Sequence, residues 1–299
     1  MRIVVTGAKG QLVHCLAKTA PCGVELFPVG RPALDLENIS TIQSALEAYK
    51  PEVIISAAAF TNVDLAETEP RAALVINSDG AGAVAQAAQQ LNVPLIHIST
   101  DYVFAGDKGA PYNELDVANP ICVYGVSKLA GEAQVQAATH NHVILRVGWL
   151  YSPFARNFLR TVLKLSTTQD TLRIVSDQRG GPTSAFMLSS VIFTIAKRIV
   201  DDNSSQLRGI FHVAPTGDAT WAEFAEVIVG IQQTITGKKV QVEAITSGKY
   251  PTLAKRPLDS RLSTEKIQTS YNISFPHWRT AAPTVVASGL RQMAREATS

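Results

Sequence analysis

Met1-Arg2-Ile3-Val4-Val5-Thr6-Gly7-Ala8-Lys9-Gly10-Gln11-Leu12-Val13 is a short β-branched run that breaks at two glycines and resumes as an apolar, helix-compatible segment. A strand that ends in glycine and leads at once into a helix has the geometry of a phosphate-binding turn. Glycine permits φ > 0 and close backbone approach, and the first helical turn offers free N–H groups to an anion. Taken alone, Gly7 and Gly10 are a weak signal, shared with ordinary β-α turns. The second strand-like run ends in Val29-Gly30-Arg31, at the distance where the ribose of a bound dinucleotide would lie. An acid there would bind a 2′-hydroxyl, whereas Arg31 suits a 2′-phosphate. That favours NADP(H) over NAD(H), against the alternative of a solvated loop charge.

Outward from this turn the same rhythm repeats. Val24 to Val29, Val53 to Ala57, Leu95 to Ile98 and Val143 to Val147 are bare apolar runs, as expected of parallel strands covered on both faces. Between them lie helix candidates at Gln11 to Thr19, Ile39 to Tyr49, Ala72 to Leu91 and Val123 to Ala138, with Pro51, Pro94 and Pro120 at the junctions. The expected fold is α/β, a Rossmann-type doubly wound parallel sheet with a smaller, α-rich substrate domain. After Arg146 the rhythm weakens: a strand-like run at Leu172 to Val175, a Gly180-Gly181-Pro182-Thr183 turn, a helix candidate from Ala185 to Ile199 and a strand at Ile210 to Ala214. No linker marks a boundary, so residues 1–149 are expected to form the nucleotide domain and 150–299 a mainly substrate-binding domain interlocked with it.

Composition excludes several classes. With 27 basic against 25 acidic residues among 299, the net charge of +2 does not fit a polybasic nucleic-acid binder. Cys15, Cys22 and Cys122 form no C-x-x-C pair and are odd in number, so neither a disulfide framework nor a thiolate zinc site is indicated. The N-terminal apolar run is too short for a signal peptide, and no run approaches the ~18–20 residues of a membrane span. A soluble, cytoplasmic protein is expected. The six histidines show no metal-ligand spacing beyond His140-Asn141-His142, which reads as a loop.

The candidate chemistry lies at the ends of later strands. Tyr124 and Lys128, four apart in a helical segment, share one face. An ammonium ~4 Å from a phenol, at an effective dielectric of ~20, contributes about 4 kcal/mol, enough to lower the phenol pKa by up to ~3 units. Such a depressed phenol is the expectation. Ser99 and Thr100 end the fourth strand, where ligands of open parallel sheets bind, and the small Ala57, Ala58 and Ala59 end the third.

Together, Gly7-x-x-Gly10-Gln11, Ala57-Ala58-Ala59-Phe60-Thr61-Asn62-Val63-Asp64, Ser99-Thr100-Asp101-Tyr102-Val103-Phe104 and Tyr124-Gly125-x-x-Lys128 resemble the extended short-chain dehydrogenases. More narrowly they resemble the dTDP-4-dehydrorhamnose reductase family. The resemblance continues through Arg146-Val147-Gly148-Trp149-Leu150-Tyr151, Asn157-Phe158, Asp177-Gln178-x-Gly180-x-Pro182-Thr183 and Arg256-Pro257-x-x-Ser260-Arg261-Leu262.

This resemblance implies NADPH-dependent reduction of the 4-keto group of a nucleotide-linked 6-deoxyhexose, most simply dTDP-4-dehydro-L-rhamnose to dTDP-L-rhamnose, with NADH left open as a cofactor. It implies Thr100, Tyr124 and Lys128 as catalytic residues. Tyr124 would protonate the developing alkoxide, Lys128 would hold the nicotinamide ribose, and Thr100 would donate to the oxygen that gains charge. Implied cofactor contacts are Gly7, Gly10, Gln11, Leu12, Arg31, Asp35, Leu36, Ala57, Ala58, Ala59, Asn77, Ser99, Tyr124 and Lys128. Implied substrate contacts are Thr61, Val63, Thr100, Tyr102, Trp149, Asn157, Arg256 and Arg261, the two arginines suiting a diphosphate.

Two departures from the family pattern stand out. Val13 replaces a third turn glycine, and Cys15 and Phe186 stand where members that bridge subunits through magnesium carry acids. Both are poor ligands for a hard cation, so no metal is expected, and a homodimer remains open. The competing readings are a non-catalytic NADP-binding regulatory subunit and a sugar-nucleotide epimerase that retains NAD.

Overall fold

The apolar runs become strands that are covered from both sides. The computed structural model describes residues 1–298. Strands β1 (Arg2–Thr6), β2 (Glu25–Val29), β3 (Val53–Ser56), β4 (Leu95–Thr100) and β5 (His142–Val147) join Gly209–Val213 in a six-stranded sheet. Its order is Gly209–Val213, β5, β4, β3, β1, β2, and every pairing is parallel. The order reverses between β1 and β3, which places the switch point of the sheet beside the Gly7 turn.

Alternate residues of each strand feed two separate cores. On one face Ile3, Val5, Val53, Ile55 and Ile96 pack with Leu12 and Leu16 of α1 (Gln11–Thr19) and with the helix Ala185–Asp201. On the other, Val4, Ile54, Leu95 and Ile144 pack with Leu46, Val84, Ala88 and Val135, from the helices Ile42–Glu47, Gly80–Gln90 and Val123–Ala138. A third, smaller core holds Tyr151, Leu163, Phe224, Trp278 and Val286 between the helices Phe158–Thr168, Trp221–Thr236 and Trp278–Thr298. Beside it runs the parallel ribbon Thr171–Val175 with Gln241–Ile245. Sequence beyond residue 150 thus both builds this second lobe and returns to the first, through Ala185–Asp201 and Gly209–Val213.

Two expected helices differ in detail. Ile39 to Tyr49 is a 3-10 turn, Ile39–Thr41, followed by the helix Ile42–Glu47. The expected Ala72 to Leu91 helix is three pieces: Pro70–Leu74, a π turn at Val75–Asp79, and Gly80–Gln90. Close packing accompanies the interruption. A Cβ on Gly80 would lie 2.8 Å from Leu36, and one on Gly131 would overlap the carbonyl oxygen of Asn77 within the π turn.

Candidate active site

The C-terminal ends of β1, β3, β4 and β5 open into one cavity of about 690 Å³. At its floor the Thr6 hydroxyl accepts the backbone N–H groups of Ala57 and Ala58, both at 3.0 Å, drawing the alanine loop against the glycine turn. Gly7 sits at φ +94°, a conformation L side chains rarely adopt, and a Cβ on it would touch Ala58. Gly10 is the N-cap of α1 and offers no side-chain cap, so the first N–H groups of that helix are free for an anion. Gln11 donates to the Leu150 carbonyl at 3.2 Å, and its Oε1 is buried without a partner among the described residues.

Most of the expected site residues line this cavity: Gly7, Gly10, Gln11, Leu12, Ala57, Ala58, Ala59, Thr61, Val63, Ser99, Thr100, Tyr102, Tyr124, Lys128 and Trp149. Others do not reach it. Arg31 is exposed at the end of β2, where it pairs with Asp35 at 3.1 Å and Glu37 at 2.8 Å. Leu36 is buried against Gly80. Asn77, 1% exposed, uses its amide on the scaffold: it accepts from Phe60 N, and donates to Phe60 O and to Ser127 Oγ at 2.9 Å. Asn157 caps the helix Phe158–Thr168 and donates to the Ser152 and Phe154 carbonyls. Arg256 pairs with Asp64 at 2.7 Å and lines an adjoining cavity of about 550 Å³, which shares Phe158 and Trp221 with the first. Arg261 pairs with Asp259 at 2.6 Å on a separate surface groove.

Tyr124, Lys128 and Glu132 succeed one another at four-residue spacing on the helix Val123–Ala138. Tyr124 lines the cavity together with Thr100, and its ring meets Tyr102 edge-on at 5.9 Å. Lys128, 2% exposed, donates from Nζ to the Ile98 carbonyl at 2.7 Å and lies 3.4 Å from His97 Nε2. An ammonium only donates, so Nε2 accepts and Nδ1–H donates to Ser56 Oγ, 3.1 Å away. Burial and the adjacent ammonium hold His97 neutral, well below its ordinary range. Glu132 forms a buried pair with Arg146 at 2.6 Å and accepts from Ser99 at 2.5 Å.

The electrostatics correct one expectation. Burial pushes the Tyr124 phenol above its ordinary value, the polar Thr100 side chain beside it opposes this, and the Asp101 charge acts in the same direction as burial. The reason lies in the position of the ammonium: Lys128 turns to the end of β4 rather than to the phenol. Burial lowers Lys128 itself to about 8, with Glu132 opposing. The site therefore presents a phenol that keeps its proton at neutral pH, a threonine hydroxyl on the same cavity wall, and an almost fully buried cation.

Trp221, His97 and Asp101 also belong to the site or its support. Trp221 stacks on Trp149 with ring centroids 3.4 Å apart and planes within 2°. Trp149 holds φ +48°, and a Cβ on Gly180 would overlap its indole. His97 lies within β4 and Asp101 opens the 3-10 turn that follows it, and neither residue type at that place signals a role by itself. Trp221 had no local signal, since a tryptophan opening a helix is ordinary. Cys15 is buried beside Phe154 and Ala185, and burial raises its thiol to about 12, so it stays protonated near neutral pH. No helix among the described residues is long and apolar enough to cross a membrane.

Comparison with known proteins agrees with this geometry. The dTDP-4-dehydrorhamnose reductase of Sinorhizobium fredii is 46% identical over 278 residues, covering 93% of this chain and 94% of that protein. That of Aggregatibacter actinomycetemcomitans is 38% identical over 290 residues, with 96% and 98% covered. Among solved structures, the Bacillus anthracis dTDP-4-dehydrorhamnose reductase in complex with NADP superposes with a TM-score of 0.88 at 33% identity, covering 96% of this chain and 98% of that one. The profile described as the RmlD substrate binding domain matches residues 1–290, and the chain belongs to that family.

Proposed function

We propose that this protein reduces the 4-keto group of dTDP-4-dehydro-L-rhamnose with NADPH, giving dTDP-L-rhamnose. The observation that carries the reading is the convergence of the Gly7 turn, Thr100, Tyr124 and Lys128 on one cavity. The residues present fit a dinucleotide: the glycine turn and uncapped N-terminus of α1 would hold the pyrophosphate, and the alanines of β3 would admit its flat parts. Arg31 would meet a 2′-phosphate in place of Asp35 and Glu37, and Lys128 would hold the nicotinamide ribose. NADPH supplies a hydride when bound. As the C4 oxygen gains negative charge, Tyr124 gives it a proton, and the Thr100 hydroxyl donates a hydrogen bond to it. An alkoxide is a far stronger base than a phenolate, so this transfer does not need a depressed phenol.

The stacked Trp149 and Trp221 would face the sugar, and Arg256, in the adjoining cavity, the nucleotide. Residues 1–149 are assigned to the cofactor and 150–299 mainly to the substrate. We place the enzyme in the cytoplasm, with a homodimer compatible. The test is NADPH oxidation with dTDP-4-dehydro-L-rhamnose and identification of the product. Tyr124→Phe should lower kcat at least ~100-fold while leaving NADPH affinity nearly unchanged. Wild-type turnover by that variant would remove Tyr124 as the acid.

A further inference from the structure

His97 lies within β4, almost fully buried, and has no part in the mechanism above. Its place is set by strand register: His97 of β4 pairs with Ser56 of β3, and Nδ1 lies 3.1 Å from the Ser56 hydroxyl oxygen. Nε2 lies 3.4 Å from Lys128 Nζ, and the same ammonium donates to the Ile98 carbonyl at 2.7 Å. The imidazole thus stands between the interior of the sheet and a residue that lines the catalytic cavity.

An ammonium has three N–H groups and no lone pair. At Lys128 one goes to the Ile98 carbonyl and one to His97 Nε2, both in β4, so the head group is held at two points and one N–H is left for a ligand in the cavity. The second point exists for only one form of the imidazole. Nε2 must carry a lone pair, which puts the ring proton on Nδ1, and Ser56 Oγ accepts it. A proton on both nitrogens would turn an N–H against the ammonium. Burial and the neighbouring ammonium, with His142 acting the same way, hold the ring neutral. With the carbonyl as its one tether, the head group would rotate about that contact, and the N–H meant for the cavity would have no fixed direction.

We propose that His97 is a positioning residue: its Nε2, kept without a proton by the bond from Nδ1 to Ser56, takes one N–H of Lys128 and leaves another directed at the nicotinamide ribose. The proposal rests on the ketone-reduction reading, which gives Lys128 that ribose. A neutral acceptor suits the task, because it fixes direction without cancelling the charge that attracts the ribose hydroxyls. The carboxylate one turn further along the helix, Glu132, is taken by Arg146 and Ser99. Strand register thereby becomes part of the site, since sliding β4 by one residue would turn His97 to the other face of the sheet.

The experiment measures NADPH affinity without keto sugar, by quenching of tryptophan fluorescence, and kcat with it. The proteins are wild type, His97→Leu, His97→Gln, Lys128→Met and the double variant Lys128→Met with His97→Leu. Leucine fills the space but accepts no hydrogen bond, and should weaken NADPH about 10-fold and lower kcat at least as much. Glutamine is long enough to put its carbonyl oxygen where Nε2 stands, and should keep both within about threefold of wild type. In the Lys128→Met background His97→Leu should change NADPH affinity less than about twofold, because the group it acts through is gone. A histidine that only packs would give the same loss in both backgrounds, and that result overturns the proposal. So does a leucine variant that binds NADPH like wild type, or a glutamine variant as weak as leucine. Should His97→Leu not fold, His97→Asn replaces it in both backgrounds, since the shorter amide reaches Ser56 but not Lys128, and the same outcomes decide. A wild type that binds NADPH but never oxidises it with the keto sugar overturns the ketone-reduction reading and leaves the binding comparison to decide on His97; one that binds no NADPH overturns both.

Discussion

Replacing Lys128 with methionine should abolish function and strengthen the fold. The ammonium is 2% exposed, and burial lowers it from 10.5 to about 8, with Glu132 opposing. A shift of that size corresponds to about 3 kcal/mol of destabilisation borne by the native state when the group is charged. The sign follows from proton binding. Between the native and unfolded values the unfolded chain binds the extra proton, so stability rises with pH across that window. Below about pH 8 the penalty is fully present; towards pH 10.5 it is relieved. Methionine keeps much of the volume and removes the charge. The Ile98 carbonyl loses its donor but lines the cavity, where water can replace it, whereas the buried His97 Nε2 loses its donor outright, together a loss of about 1–2 kcal/mol. Lys128→Met should therefore be about 1–2 kcal/mol more stable than wild type near pH 7. The gap should close by about 1.4 kcal/mol per pH unit above about pH 8, because other titrating groups cancel between the two chains. Urea unfolding of both proteins without added cofactor, followed by tryptophan fluorescence at about pH 7 and about pH 9.5, reads this directly. A variant less stable at pH 7, or a gap that ignores pH, would refute the buried, strained ammonium.

The Glu132–Arg146 pair behaves differently, since both charges are buried and matched. Glu132→Leu alone should cost about 3–5 kcal/mol, and adding Arg146→Met should restore most of it; a double variant as unstable as the single one would assign the loss to packing, as read by thermal unfolding. Gly131→Ala places a methyl group on the Asn77 carbonyl and should cost about 1–3 kcal/mol in denaturant while lowering kcat, because the helix carrying Tyr124 must move. Arg31→Ala should raise the KM for NADPH about 10-fold and leave that for NADH within about twofold. Equal changes for both coenzymes would reduce Arg31 to a partner of Asp35 and Glu37.

The fold was legible because its signals are local. Bare apolar runs mark β1 to β5 to within one or two residues, and parallel strands of one sheet bring their carboxyl ends to one edge. Gly7, Ala57, Thr100 and Val147, spread over half the chain, therefore share one cavity. What stayed illegible depends on contacts between distant segments. Nothing near Val75 signals a π turn; its Asn77 carbonyl lies against Gly131, more than fifty residues on. Trp221 reaches Trp149 from the second lobe. The resemblance implied ligand contacts for Asn77 and Asn157, and the structure shows their amides bonded to backbone N–H and carbonyl groups and to Ser127. A motif marks a position that matters without saying whether it touches ligand or holds what does.

The i, i+4 spacing of Tyr124 and Lys128 shows the difference most sharply. Spacing puts two side chains on one helix face, but it does not say which of them answers the other. Here each polar group on that face is answered from the sheet. Thr100 stands beside Tyr124, the Ile98 carbonyl and His97 meet Lys128, and Ser99 with Arg146 meets Glu132. His97 and Ser99, two apart in β4, point to the same side, and Ser99 is in register with Arg146 of β5. The helix is thus clamped to β4 and β5 by groups that are individually unfavourable to bury and become tolerable only together. Sliding the helix by one residue would strand an ammonium and a carboxylate in an apolar layer at once. The same burial that fixes the register raises Tyr124 and lowers Lys128, so the acid–base character of the site and the rigidity of its helix have a single physical origin.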